Sequence, residues 1–310
     1  MRAAAAEAAL RAAQALVWAS APVLLVQGRR VRRRTPVLPP ARGECGRAPA
    51  PPAVSPGVGG RAVAPAPGSG ADSGPAARQG RAEPGAPLHL LVLGDSTAAG
   101  VGVSAQEDAL AGHLAAGLAR ECGREVAWRV VARSGADART VVAELLPAAA
   151  GAVDSAGVRG VGGSGEPPRP DLAVVLIGVN DVKAMTGRGA FHRAVTAIAA
   201  GAGERWQAPA VFGAVPRMDL FPALPRPLGP LLGLRSRHLD AAMRAALRSQ
   251  PHAVRAPFPA GAVGRPGFFA ADGFHPGERG YRIWARHLLP VCLDALRKSA
   301  AEPDGARPTA

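Results

Sequence analysis

Five short apolar runs, separated by longer stretches with helical periodicity, constrain the fold of this chain more than any other feature. The runs lack polar alternation, which is typical of strands buried on both faces of a sheet. They are His89–Leu93, Val126–Ala132, Leu172–Ile177, Ala210–Val215 and, with a weaker pattern, His252–Ala256. The helical stretches are approximately Gln106–Glu121, Ala138–Ala149, Gly189–Ala200, Arg235–Arg248 and Gly277–Lys298. This alternation predicts an α/β fold in which a five-stranded parallel sheet is covered by helices on both faces.

The composition divides the chain into a folded body and flanking segments. Residues 87–299 contain all five runs and are predicted to form one α/β domain. Residues 35–86 are dominated by Pro, Gly, Ala and Ser and have too little apolar surface to offset the entropy of ordering, so they are predicted to be a disordered linker. A Gly- and Pro-rich stretch at 153–170 is predicted to be a surface loop, and residues 300–310 a disordered tail.

Residues 1–34 combine an apolar stretch with a basic cluster. The apolar stretch covers 12–26, which is shorter than the roughly 20 residues that span a bilayer. The cluster Gly28–Arg34 carries five arginines, and such clusters usually stay on the cytoplasmic side of a membrane. We therefore expect a membrane-associating helix with the α/β domain at 87–299 on the cytoplasmic side of the membrane. Two alternatives stay open: a signal peptide cleaved after Ala19-Ser20-Ala21 and followed by secretion, or a soluble cytoplasmic tail.

The formal net charge of +14 is unevenly distributed along the chain. Residues 1–87 hold twelve arginines against four acidic residues, a surplus of eight positive charges, and the remainder holds a surplus of six. Most of the basicity therefore lies outside the predicted domain, and no aromatic residues are interleaved with it. This distribution favours an anionic membrane surface or plain solvation, and no nucleic-acid partner is expected.

Polar residues with catalytic chemistry follow the predicted strands. Gly94-Asp95-Ser96 ends the first run, Ser134-Gly135 follows the second, and Gly178-Val179-Asn180-Asp181 follows the third. Asn180 is the only asparagine in the chain. Asp272-Gly273-Phe274-His275-Pro276 lies between the fifth run and the last helical stretch. Because open parallel sheets form their sites beyond the carboxyl ends of the strands, we expect these segments to converge on one rim.

These residue types suit nucleophilic catalysis. The hydroxyl of Ser96 needs a base to take its proton, and a histidine such as His275 is the usual general base in such sites. Asp272, three residues earlier, can reach the other ring nitrogen of that histidine. The amides of Gly135 and Asn180 can stabilise a negatively charged oxygen. Each residue alone also has a structural explanation, such as a helix cap or a turn, but their joint order and placement favour a hydrolytic site.

These segments resemble the SGNH hydrolases, also called GDSL-type esterases and lipases, over about Leu88–Leu296. Gly94-Asp95-Ser96-Thr97 matches the first block of that family, with Thr where Leu is usual. The third block and the Asp-Gly-Phe-His-Pro segment match in full. The second block is matched only by Gly135, and Arg133 stands where an asparagine often precedes that glycine.

The resemblance implies a flavodoxin-like three-layer fold and hydrolysis of carboxylic esters through an acyl-enzyme. It implies Ser96 as nucleophile, His275 as base and Asp272 as the orienting acid. It also implies an oxyanion hole formed by the Ser96 amide, the Gly135 amide and the Asn180 side chain. No cofactor is expected, and no metal, because the remaining histidines are scattered without metal-ligand spacing.

The apolar, proline-rich stretch Arg217–Gly233 follows the fourth run and is the candidate substrate loop. We expect Met218, Leu220 and Phe221 to line an acyl pocket, although the same loop could equally pack on the core. The substrate is expected to be a small-molecule or lipid ester. A carbohydrate O-deacetylase and a lysophospholipase remain alternatives with the same catalytic groups. A catalytically silent, membrane-anchored binding module is the non-enzyme alternative, which the intact catalytic side chains disfavour.

Overall fold

A six-stranded sheet lies at the centre of the computed structural model, which describes residues 22–52, 86–151 and 167–301. Its strands are β1 (Cys45–Ala48), β2 (Leu88–Gly94), β3 (Val126–Ala132), β4 (Leu172–Leu176), β5 (Ala210–Gly213) and β6 (Ala253–Ala256). The helices are α1 (22–34), α2 (Leu110–Cys122), α3 (Ala138–Thr140), α4 (Leu146–Ala149), α5 (Val179–Lys183), α6 (Arg188–Trp206), α7 (Leu228–Leu247) and α8 (Glu278–Ala301). A turn of π-helix, Val141–Leu145, joins α3 to α4.

The strand order is β1-β3-β2-β4-β5-β6. Five of these strands, β2 to β6, run parallel to one another, which confirms the predicted parallel sheet. The sixth strand, β1, pairs antiparallel with β3 at the edge, so the predicted count of five strands is one too few. Each parallel connection passes through helical structure, as a crossover between parallel strands requires.

The edge strand β1 lies within 35–86, where the sequence predicts a disordered linker, and here the structure differs from that prediction. The amide of Val130 donates to the Glu44 carbonyl at 2.7 Å, next to the β1–β3 ladder. Gly46 lies against the indole of Trp128, and a β-carbon on Gly46 would come within 2.3 Å of that ring. The four residues of β1 show no hydrophobic alternation because backbone pairing with an existing edge holds them there.

Helices cover both faces of the sheet, and successive residues of one strand pack into different cores. Val175 and Phe212 belong to a cluster that includes residues of α6 and α7. Val174 and Val211 belong to a second cluster with residues of α2 and α8. All four side chains are fully buried, and each contributes about 1.5–3 kcal/mol of hydrophobic stabilisation. The predicted three-layer α/β/α arrangement is therefore confirmed.

The proline-rich stretch Arg217–Gly233 is less irregular than predicted. A short 3-10 turn occupies Met218–Leu220, and α7 already begins at Leu228. Pro227 directly precedes α7 and Pro230 lies in its first turn. A proline is tolerated there because the first amides of a helix have no intrahelical acceptor. The prolines that favour a loop in the sequence thus begin a helix.

Helix α1 lies against the start of α7. The Gln27 side chain donates from Nε2 to the Arg226 carbonyl at 2.7 Å, and its Oε1 accepts a hydrogen bond from the Leu228 amide at 3.2 Å. Helix α1 ends at residue 34, so it extends beyond the predicted apolar stretch 12–26 and includes the basic cluster. Among the described helices, none combines the length and the apolar character that crossing a membrane requires.

Parts of several predicted segments lie outside the described residues. These are 1–21 of the N-terminal segment, 53–85 of the linker, 152–166 around the predicted surface loop, and 302–310 of the tail.

Candidate active site

The carboxyl ends of three neighbouring strands meet at one rim of the sheet. Gly94, at the end of β2, is paired with Ala132 of β3 on one side and with Leu176 of β4 on the other. The segments that carry Ser96, Gly135 and the Gly-Val-Asn-Asp sequence therefore leave the sheet side by side. This is the convergence that the strand-end pattern predicts.

Ser96 lies on a tight turn immediately after β2. Gly94 has φ of +151°, and a β-carbon there would lie 2.0 Å from the Leu176 carbonyl oxygen, so the approach of β2 to β4 requires glycine. Asp95 braces the turn, because its Oδ1 accepts a hydrogen bond from the Thr97 amide at 2.9 Å. Ser96 itself is half-buried. Its hydroxyl is thus presented at the rim by a rigid backbone.

His275 and Asp272 complete a chain of hydrogen bonds with Ser96. The Nε2 atom of His275 lies 3.0 Å from Ser96 Oγ, and its Nδ1 atom lies 2.6 Å from Asp272 Oδ2. The other carboxylate oxygen of Asp272 accepts the amides of Phe274 at 2.9 Å and His275 at 3.0 Å. The histidine is thereby held with one nitrogen on the carboxylate and the other on the hydroxyl. Such an arrangement can move a proton from the serine to the imidazole.

The carboxylate of Asp272 is held in its charged form. Burial by itself would raise its pKa, but the hydrogen bonds from the His275 ring and from the amides of Phe274 and His275 lower the pKa below its usual value. A carboxylate that accepts several hydrogen bonds is stabilised as the anion. Asp272 therefore keeps a negative charge beside His275, which stabilises an imidazolium when the histidine takes up a proton.

The side chain of Asn180 and the backbone of Gly135 lie at the same rim. Asn180 is 8% exposed, its Nδ2 donates to the Ala136 carbonyl at 2.9 Å, and its Oδ1 accepts from Lys183 Nζ at 2.9 Å. Gly135 has φ of +87°, and a β-carbon there would meet no atom within 4 Å, so its backbone faces open space. Among the described residues, no backbone carbonyl accepts the amide of Ser96 or Gly135.

Two buried carboxyl groups next to these residues have raised pKa values. Burial raises the pKa of Asp95 to about 6, although the Thr97 hydrogen bonds and the charges of His275 and Lys183 oppose the shift. Burial likewise raises the pKa of Asp181 to about 6, against a hydrogen bond from the Ala138 amide at 3.0 Å. Both carboxyl groups brace the backbone of the rim, and neither is hydrogen-bonded to His275.

An aromatic cavity opens beside Ser96 and His275. Phe221 packs edge-on against Phe269, with ring centroids 5.3 Å apart, and against Phe274 at 5.1 Å. The complete lining consists of Ser96, Thr97, Val179, Pro216, Phe221, Phe258, Phe268, Phe269, Phe274, His275, Pro276 and Trp284. Edge-on aromatic packing makes the wall rigid and leaves little free space between the rings.

The three predicted pocket residues occupy different environments. Phe221 lines the cavity. Met218 is fully buried in the core beneath α6 and α7, so its side chain packs with that cluster. Leu220 packs against a small cluster built around Ala262, Val263 and Phe268. The sequence did not reveal the other phenylalanines, because their loop is remote from Phe221 in the chain and only folding brings the two together.

Lys183 lies beside this site. As one of two lysines it is a candidate from the sequence to flank the cleft, although an exposed surface position is favoured, and the residue is exposed. Its ammonium nitrogen nevertheless contacts Asn180. The available signal was its rarity, since Lys183 is one of two lysines in a chain with 35 arginines.

The described residues contain no group of three or more His, Cys, Asp or Glu side chains placed to hold a metal ion.

Comparison with known proteins places the chain in a family. Residues 92–283 match the model of the GDSL-like Lipase/Acylhydrolase family. The chain is 31% identical over 223 residues to the GDSL-like esterase Rv1075c of Mycobacterium tuberculosis. That alignment covers 70% of this chain and spans 65% of the relative's length.

The fold has a counterpart among solved structures. The crystal structure of TesA superposes with a TM-score of 0.51 at 20% sequence identity, covering 67% of this chain and 99% of that chain. At this identity the likeness bears on the fold alone. The family match, in contrast, covers more than half of the chain and includes Ser96, Asn180, Asp272 and His275. This chain therefore belongs to the GDSL-like lipase/acylhydrolase family.

Proposed function

We propose that the protein is a serine hydrolase that cleaves carboxylic esters through an acyl-enzyme intermediate. The observation that carries the proposal is the hydrogen-bonded sequence Asp272–His275–Ser96, with distances of 2.6 Å and 3.0 Å. Membership of the family and the similarity to a GDSL-like esterase support the same reaction class.

In the proposed first step, Ser96 Oγ attacks the carbonyl carbon of the ester while His275 Nε2 accepts the hydroxyl proton. The tetrahedral intermediate collapses when the C–O bond breaks, and the imidazolium of His275 gives its proton to the departing alkoxide. A water molecule then attacks the acyl-enzyme with His275 again as base, which releases the acid and restores Ser96. Asp272 stays ionised throughout and stabilises the imidazolium.

The negative oxygen of each tetrahedral intermediate needs hydrogen-bond donors. We assign this role to the backbone amides of Ser96 and Gly135 and to the side-chain amide of Asn180. Ser96 and Gly135 have no carbonyl acceptor among the described residues, and one of the two Nδ2 protons of Asn180 is left over after its bond to Ala136. Loss of one such donor typically lowers the rate by about 10²–10³-fold.

A fluorophosphonate probe together with nitrophenyl acetate turnover tests the proposal. Wild-type protein is expected to be labelled and to release nitrophenol, and Ser96→Ala to do neither. Ser249→Ala is a matched control, because that serine only caps the end of α7 by a bond to the Ala246 carbonyl. If neither wild type nor the Ser249 variant is labelled, the protein is the catalytically silent binding module instead.

The aromatic cavity is the proposed acyl site, and its tight packing favours short acyl groups. Phe221→Leu removes ring atoms from the wall and is expected to raise kcat/KM for hexanoyl over acetyl esters by about tenfold, the usual effect of a little extra room in an apolar pocket. Phe191→Leu, at a fully buried position in α6, controls for lost core packing. An unchanged chain-length ratio in Phe221→Leu would exclude the cavity as the acyl site.

The physiological substrate class follows from which esters this site accepts. Short acyl groups are compatible with a small-molecule ester or with a carbohydrate O-deacetylase, whereas a lysophospholipase needs room for a long chain. Turnover of acetylated sugars, nitrophenyl esters and lysophospholipids by the full chain distinguishes the three. A preference for lysophospholipids would contradict the short-acyl proposal.

We further propose that α1 lies on an anionic membrane surface at the cytoplasmic face. Val23, Leu25 and Val26 expose between 50% and 64% of their surface, and five arginines follow within the same helix. An apolar face next to arginines suits a helix that lies in the interface of anionic lipids. Because Gln27 fixes α1 to the start of α7, the helix would hold the catalytic domain close to the bilayer.

Flotation with vesicles tests this membrane proposal. The full chain is expected to bind vesicles of equimolar phosphatidylcholine and phosphatidylserine, and to bind pure phosphatidylcholine vesicles weakly. Leu25→Asp should abolish binding, while Val37→Asp, at a 97% exposed position outside α1, should retain it. Equal loss of binding in both variants, or no binding by the wild type, would contradict the proposal.

A further inference from the structure

Lys183 ends α5, one helical turn after Asn180. Its Nζ atom donates a hydrogen bond to Asn180 Oδ1 at 2.9 Å. The spacing of three residues places the two side chains on one face of the short helix. A cation is thus bonded directly to the amide that the proposed mechanism uses as a donor.

The orientation of the Asn180 amide is determined by its two neighbours. Ala136 offers a carbonyl, which can only accept, and lies 2.9 Å from Asn180 Nδ2. Lys183 offers an ammonium group, which can only donate, and lies 2.9 Å from Oδ1. If the amide were flipped, its NH₂ group would face the ammonium group of Lys183, which is also a donor, and its oxygen would face the carbonyl oxygen of Ala136, which is also an acceptor. The pair therefore keeps the Nδ2 protons on the side of Ala136 and the catalytic rim.

The surroundings of Lys183 fix the ammonium group in this place. Its Nζ lies 5.5 Å from the ring centroid of Phe274, within the range of a cation–π interaction. Partial burial lowers the pKa of Lys183, the negative charge of Asp95 opposes that effect, and Arg32 of α1 adds to it. Phe274 directly precedes His275, so the lysine connects the Asn180 side of the site with the histidine loop.

We propose that Lys183 is a positioning residue for ester hydrolysis, which holds and polarises the Asn180 amide so that its free N–H serves the oxyanion. The inference rests on the proposed esterase function. A hydrogen bond from a cation to Oδ1 withdraws electron density from the amide and makes its N–H a stronger donor. Lys183 touches neither substrate nor the reacting atoms in this role, since it acts only through Asn180.

Steady-state kinetics of Lys183→Met test this role. Methionine keeps most of the length of the side chain but removes the donor and the charge. We expect kcat to fall by about tenfold with little change in KM, because a misoriented oxyanion donor affects the transition state more than substrate binding. Lys298→Met is the matched control. That lysine, the only other one in the chain, forms an exposed ion pair with Asp294 at 2.8 Å, and kcat should stay at the wild-type value.

Two further variants separate positioning from a structural contribution. Lys183→Arg keeps a charged donor and should recover most of the lost kcat. In an Asn180→Ala background, Lys183→Met should cause no further loss, because the group through which it acts is already gone. An equal loss of kcat with and without Asn180, or an unchanged kcat in Lys183→Met, would overturn the inference.

A third measurement does not depend on turnover. A trifluoromethyl ketone forms a hemiketal with Ser96 whose oxygen carries the negative charge, so its affinity should fall in Lys183→Met by a factor similar to that in kcat/KM. Thermal unfolding followed by circular dichroism of Lys183→Met and Lys298→Met checks that both variants keep the fold. If Ser96→Ala keeps wild-type activity, the esterase proposal itself fails. If turnover depends on Ser96 but not on Lys183, only the positioning role is wrong.

Discussion

Two carboxyl groups close to His275 have pKa values shifted in opposite directions, and the difference lies in their hydrogen bonds. Asp272 accepts the His275 ring nitrogen and two backbone amides, which outweigh its burial and lower its pKa. Asp95 is buried, its carboxylate accepts hydrogen bonds from Thr97 alone within the described part of the chain, and burial raises its pKa to about 6. One carboxylate is thus kept charged beside His275, as the proposed mechanism requires, while the other braces the turn that carries Ser96.

Replacement of Asp95 by Asn is expected to make stability less dependent on pH. The unfolded chain loses the Asp95 proton near the ordinary aspartate pKa of 3.8, whereas the folded protein holds it up to about 6. Between these values the unfolded state is favoured progressively as the pH rises, and the cost is complete above about pH 6. Relative to wild type, Asp95→Asn should therefore gain roughly 2–3 kcal/mol of unfolding free energy between about pH 4 and about pH 7.

Urea unfolding of both proteins across this pH range measures the effect. Asparagine can still accept the Thr97 amide, so the turn itself is preserved. A difference in unfolding free energy that is constant with pH would mean that Asp95 ionises normally in the folded state.

Two helices of the domain, α6 and α2, are each followed by a residue in the left-handed conformation. Helix α6 ends at Trp206, and the next residue, Gln207, adopts the left-handed conformation with φ of +51°. Its amide donates to the Gly203 carbonyl at 3.0 Å, which closes the helix end. The residue after α2, Gly123, is also left-handed, with φ of +65°. This conformation costs more at Gln207 than at Gly123, because a β-carbon is strained in it.

Gln207→Gly is expected to stabilise the protein by roughly 0.5–1 kcal/mol, since glycine removes that strain and the backbone bond to Gly203 remains. Gln207→Ala is the matched control, because it removes the same polar side chain and keeps the β-carbon. Chemical denaturation of the three proteins checks the prediction. Equal unfolding free energies for the Ala and Gly variants would attribute the effect to the side chain and not to the backbone.

The central sheet of the domain separates two hydrophobic cores. The cluster under α6 and α7 includes Ile198, and the cluster under α2 and α8 includes Leu114, both fully buried. The two cores share no side chains but share every central strand, since alternate residues of a strand point to opposite faces. We therefore expect the domain to unfold as one cooperative unit.

Truncations on the two sides test this cooperativity. Ile198→Ala and Leu114→Ala should each lower the unfolding free energy by about 2–5 kcal/mol, and the double variant should lose the sum to within about 0.5 kcal/mol. Urea unfolding followed by tryptophan fluorescence and by far-ultraviolet circular dichroism should give one shared transition. Two separate transitions would show that the cores are energetically independent.

Much of the fold was predictable because its signals are local. The run Leu172–Ile177 is apolar at every position, and this alone indicates a strand buried on both faces. The limits of α7 were harder, because Pro227 and Pro230 are equally compatible with a loop and with a helix start. The edge strand β1 was not predicted, since its four residues have no pattern and are held by the existing edge of β3.

The parallel sheet and the strand ends that carry Ser96, Gly135 and Asn180 are predictable from the sequence alone, because a buried strand and the polar residues that end it are consecutive in the chain. The surroundings of these residues, in contrast, are defined by the folded chain. The aromatic cavity and the bond between Lys183 and Asn180 depend on distances between side chains, and β1 depends on the exposed edge of β3. Contacts of this kind join loops that are far apart in the chain, so no local pattern encodes them and packing alone selects which side chains meet.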